Sequence, residues 1–175
     1  MLRPALVAAL LLPLSACETE PERPAPRSIP FEIDGTLTFS RDGRELATIA
    51  IETADTDSTR ARGLMERREI PDDTGMLFIF PTEEVQGFYM ANTPSSLDII
   101  FVGADSVVTN VEANTVPFQV SPTYNSDGPT QYVVEVPAGY AQRHGITAGT
   151  RIDWSREGDA AADAAPPADT LGADA

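Results

Sequence analysis

Apolar positions recur mainly with period two from Phe31 to Trp154, the spacing of strands that turn alternate side chains to a core. The first two such stretches, 31–39 and 45–52, are joined by Arg41-Asp42-Gly43-Arg44, which predicts a hairpin. Further strands are predicted over 75–80, 87–91, 97–102, 106–112, 131–136 and 150–154, separated by clusters of Pro, Gly, Asn and Asp. A helix is expected over 56–67, where Thr53, Asp55, Asp57 and Ser58 offer N-caps, Leu64 takes a buried face and Pro71 ends the pattern. A second short helix, 138–144, stops at Gly145. The fold class expected is mainly β (α+β), a compact antiparallel or mixed sheet curled into a barrel-like shape with one or two short helices. An open α+β sheet is the alternative.

The two ends break this pattern. Arg3, the apolar run 4–14 and the small residues Ser15 and Ala16 read as an export signal over 1–16, too short to span a bilayer as a mature helix. Leu14-Ser15-Ala16-Cys17 resembles the bacterial lipobox, which implies cleavage before Cys17 and a diacylglyceryl thioether on its sulfur. The expected location is therefore a bacterial membrane, held through lipid on Cys17, with the domain facing the periplasm or the outside. Cys17 is the single cysteine, so no internal disulfide forms, and lipidation removes thiolate chemistry. Residues 17–28, rich in Pro, Glu and Arg, have the composition of a disordered tether, and 155–175, almost wholly Ala, Asp, Gly and Pro, that of a disordered acidic tail. One domain, 29–154, lies between them.

Charge narrows the partners. The formal net charge is −15, and all twelve basic residues are arginine. Nucleic acid is excluded as a partner, because a chain this acidic is repelled by a polyanion. Without lysine there is no Schiff-base catalysis and no Ser-Lys dyad. No Cys or His cluster has metal-ligand spacing and no phosphate-binding Gly-rich loop occurs, so no metal or cofactor is expected. His144, beside Gly145, sits where a helix end favours a cation.

Candidate chemistry gathers in four places. Arg60, Arg62, Arg67 and Arg68 cluster in the first helix region. Arg60 and Arg67, two helical turns apart, can point to one side and grip an anion, or can pair with nearby carboxylates. Asp98 and Glu135 each interrupt an apolar strand, where a carboxylate is costly unless partnered. They can act as an acid–base pair, as in glycoside hydrolysis, or can anchor Arg60 or Arg67. Tyr89, Asn92 and Thr93 stand at a strand end before Pro94, a usual place for recognition groups.

Three ordered motifs join these places: Arg60-Ala61-Arg62-Gly63-Leu64-Met65-Glu66-Arg67, then Gly75-Met76-Leu77-Phe78-Ile79-Phe80, then Phe88-Tyr89-Met90-Ala91-Asn92-Thr93 with Leu97-Asp98-Ile99-Ile100-Phe101 behind. Together with a Glu-bearing strand and a Pro-Ala-Gly turn over 132–139, they closely resemble the domain-of-unknown-function family 192. Tyr89 stands where that family usually has Trp. The resemblance implies a small, mainly β protein, often exported or lipid-anchored, of no established activity.

The leading functional reading is a non-enzymatic accessory lipoprotein that binds a small-molecule, glycan or protein ligand through Arg60, Arg67, Tyr89, Asn92, Thr93 and Asp98. The alternatives are an envelope hydrolase, acting on glycan through Asp98 and Glu135, and a structural protein–protein module.

Overall fold

The computed structural model describes residues 29–157; the expected signal, the tether and all but the first residues of the expected tail lie outside them. Seven strands and two short helices follow in the order β1 (Gly35–Arg41), β2 (Arg44–Ala54), α1 (Asp57–Arg62), β3 (Thr74–Phe88), β4 (Leu97–Val102), β5 (Val108–Glu112), β6 (Tyr124–Pro137), α2 (Tyr140–His144) and β7 (Arg151–Arg156). They form one mixed sheet in the order β5-β4-β6-β3-β2-β1-β7.

Local chemistry explains most of the boundaries. Asp42 and Gly43 both hold positive φ between β1 and β2, as two-residue hairpins require. Thr56 caps α1: its side chain accepts from the Thr59 backbone, and the Thr59 hydroxyl closes a reciprocal capping box. The helix is shorter than expected because Gly63 ends it at φ 49, ψ −140, a region that glycine reaches at little cost. Leu64 is buried as anticipated, but from the segment beyond the helix. The stretches 75–80 and 87–91, expected as two strands, are largely one long strand, β3, whose pairing with β6 shifts register between Ile79 and Glu84. β2 and β3 pair in parallel through the α1 crossover, whereas the other ladders are antiparallel.

The sheet curls without closing into a barrel. Near the start of β7, Val107 bridges Arg151, Val108 N–H donates to Thr150 O at 2.8 Å and Ile152 N–H to Ser106 O at 2.9 Å, so the two ends of the sheet touch over a short stretch without forming a ladder. The concave side holds a core that includes Leu37, Phe39, Ile49, Leu77, Ile100 and Val134. A second core, with Leu64, Met76, Phe78, Met90, Ile99 and Phe101, covers the opposite side of β3, β6 and β4. These central strands are buried on both faces, and every residue of β4 is buried. Among the described residues, no helix is long and apolar enough to cross a membrane.

Candidate functional site

The second core opens at one end into a cleft of about 250 Å³. Its lining comes from α1 and the residues after it (Arg60, Ala61, Arg62, Gly63, Leu64, Met65), from β3 and just beyond (Phe78, Gly87, Phe88, Tyr89, Thr93), and from Glu135 of β6. Phe88 stands edge-on to Phe78, with ring centroids 5.1 Å apart and planes at 89°, and edge-on to Phe101 at 5.9 Å. This aromatic floor gives the cleft a rigid apolar surface. Gly63 permits a close approach over it: a Cβ there would lie 3.2 Å from the Phe78 ring and 3.8 Å from Glu135 Oε2.

Glu135 is 5 % exposed. Its strand neighbours across the ladders are Met76 and Ile99, and no group among the described residues hydrogen-bonds or pairs with its carboxyl. Burial alone therefore raises its pKa, to about 8, since desolvation penalises the charged form. At neutral pH Glu135 is a protonated acid in an apolar setting, able to donate one hydrogen bond and accept others.

Asp98 meets a different fate. Its Oδ1 accepts from the Asn114 and Gly139 backbone N–H groups at 2.8 and 3.1 Å, and its Oδ2 from Ala141 N–H at 2.9 Å. It thereby supplies α2 with the cap that Gly139 lacks. Asp98 shares its face of β4 with Ile100 and Val102 of the concave core, whereas Glu135 shares its face of β6 with Val133 of the second core. The two carboxyls project to opposite sides of the sheet, and an acid–base pair built from them is ruled out. The expectation that either one anchors Arg60 or Arg67 is likewise corrected, because backbone amides satisfy Asp98 and both arginines are engaged elsewhere.

Arg60 reaches Asp57 Oδ1 at 2.6 Å, Asp55 O and Ile79 O, and lies over the Phe80 ring. Arg67, almost wholly buried, grips Glu52 through both terminal nitrogens at 2.8 and 2.9 Å, and stacks on Phe31 at 4.2 Å. This pair fastens the segment after α1 to β2. Arg156 lowers the Asp55 pKa by a 2.8 Å charge-assisted bond at the neighbouring edge.

Of the residues singled out in the sequence, Arg60, Tyr89, Thr93 and Glu135 come together at the cleft, whereas Arg67, Asn92 and Asp98 do not line it. Asn92, at φ 55, turns the chain, and its carbonyl accepts from Glu66 N–H at 2.7 Å. Tyr89 is about half exposed at the mouth. Gly63, also in the lining, did not stand out in the sequence as a site residue. Gly63 carried a usable signal: a glycine directly after a capped helix, followed by buried Leu64, marks a forced turn. Among the described residues, no group of three or more His, Cys, Asp or Glu is placed to hold a metal ion.

Comparison with known proteins covers the same region. The family model of DUF192, described as "Uncharacterized ACR", matches residues 38–154. A Novosphingobium aromaticivorans protein of unknown function, known from its crystal structure, is 36% identical with a TM-score of 0.67, covering 74% of this chain and 93% of its own. A Sinorhizobium meliloti protein described as a candidate transcription regulator is 30% identical with a TM-score of 0.66, covering 73% of this chain and 98% of its own. No curated protein matches the chain.

Proposed function

This chain belongs to the DUF192 family across the span that folds into the sheet, and from that premise we propose a ligand-binding module, not a catalyst, held at the cell envelope by lipid on Cys17. One observation carries the binding reading: a buried carboxyl with no partner among the described residues, Glu135, stands at the foot of an apolar-floored cleft. Such a group costs stability, and retaining it supports a role towards something outside the fold. The rest of the lining suits recognition. Tyr89 offers a half-exposed ring at the mouth, and Thr93 lies deeper among the lining residues. Two-carboxylate hydrolysis needs a second acid in reach, and Glu135 is the single carboxyl of the lining. The envelope location is supported by Leu14-Ser15-Ala16-Cys17 and the apolar run before it.

The binding reading is tested by screening a library of small organic fragments against the isotope-labelled chain carrying Cys17→Ser, which keeps it free of lipid. Amide shifts should concentrate on Gly63, Leu64, Tyr89 and Thr93. Fragments that shift only residues remote from the cleft would overturn the reading.

A further inference from the structure

Charge around the cleft does not follow charge along the chain. Acidic residues outnumber basic ones by 27 to 12 in the sequence, yet the charged or ionisable side chains of the lining, apart from Tyr89, are Arg60, Arg62 and Glu135. Arg60 is already occupied by Asp57 and two backbone carbonyls. Arg62 is more than half exposed, and Glu66 touches it at 3.6 Å from an equally open position, a contact with which water and ligands compete readily. One guanidinium is therefore available to a ligand.

The strand neighbours of Glu135 are apolar. Met76 and Phe78 of β3, Ile99 of β4 and Gly63 at the end of α1 face it, and none of them titrates. The ionisable groups that share the cleft with it are Arg60 and Arg62 from α1 and Tyr89 from the segment after β3. With its proton on, Glu135 presents an O–H that seeks an acceptor. Phe78, Phe88, Tyr89 and Met65 supply flat and adaptable apolar surface to the same space.

We infer that the cleft takes a small organic monoanion with an apolar, ring-like body, its acceptor oxygen turned to the Glu135 carboxyl and its charge turned to Arg62. This rests on the binding reading above and names its ligand class. A cationic ligand is disfavoured, because it would lie beside two guanidinium groups and require Glu135 ionised in apolar surroundings. A polyanion is disfavoured because a single available cation cannot neutralise it.

Three probes of one shape separate the classes: benzoate, benzamide and benzyltrimethylammonium, titrated into the Cys17→Ser chain and followed by the Gly63, Tyr89 and Thr93 amides. Benzoate should bind most tightly. It should weaken roughly tenfold between about pH 6 and about pH 9, as Glu135 loses its proton. Arg62→Gln should bring benzoate down to the level of benzamide and leave benzamide unchanged. Glu135→Gln, still a neutral donor, should keep benzoate binding and lose the pH dependence. Preference for benzyltrimethylammonium, strengthening as pH rises, would overturn the inference. So would three silent probes in a cleft that other fragments enter; both outcomes leave the binding reading standing. A cleft that no fragment enters would overturn the two together.

Discussion

Burial sets the proton on Glu135, and that proton sets how stability varies with pH. Its folded pKa, about 8, lies above the ordinary glutamate value of 4.5, so the folded state holds more protons than the unfolded state between those values. Stability from this group is therefore fully present below the unfolded pKa and is lost as pH rises towards 8. The slope approaches about 1.4 kcal/mol per pH unit in that window. Denaturant melts at several pH values should show this slope in the wild type and its loss in Glu135→Gln. Asp98 predicts otherwise. Three backbone donors converge on its carboxylate, and Asp98→Asn should cost about 2 to 4 kcal/mol by putting an amide NH2 against a donor. Both acids were legible as unusual in the sequence, but their roles were not. Their strands are apolar on both faces, so alternation could not show that one points to the concave core and the other to the cleft.

At the scale of elements, the cleft depends on where α1 stops. Gly63 holds a positive φ and passes 3.2 Å, by its missing Cβ, from the Phe78 ring. Gly63→Ala should cost about 1 to 3 kcal/mol through backbone strain and crowding, with a lowered thermal midpoint as the readout. The segment after the helix is held by Arg67 on Glu52. Arg67→Met should cost about 2 to 3 kcal/mol, less than a wholly buried pair because Glu52 keeps some exposure. A double-mutant cycle with Glu52→Gln should give coupling above about 1 kcal/mol, whereas Arg67→Met and Asp98→Asn should add within about 0.5 kcal/mol. The sequence showed the hairpin, β4, the start of α1 and the end of α2, because caps, turn residues and short apolar runs are local. It hid the extent of β3 and β6. Pro81 and the polar residues 82–86 read as a loop, yet pairing with β6 draws much of that stretch into the strand.

The whole molecule is assembled by long-range pairing that no local pattern specifies. β7, last in the chain, pairs with β1, the first strand, from Gly35↔Arg156 to Ser40↔Arg151. Strand pairing thus continues two residues past Trp154, where period-two apolar positions end. Removal of 158–175 should leave the thermal midpoint within about 4 °C of wild type. Removal from Ser155 onward should lower it further, because the Ser155 and Arg156 pairings with Thr36 and Gly35 are lost. Anchoring is tested on the intact chain: wild type should incorporate a labelled fatty acid and sediment with membranes, and Cys17→Ser should do neither. Wild type that takes up no label would remove the lipoprotein assignment. The account turns on a neutral acid waiting in an apolar cleft, and the direct measurement is a carbon NMR titration of the Glu135 side-chain carboxyl, assigned by its absence in Glu135→Gln. A midpoint near 8 is the expected result. A midpoint near the ordinary glutamate value, about 4.3, would mean that Glu135 is solvated or paired, and would contradict the account.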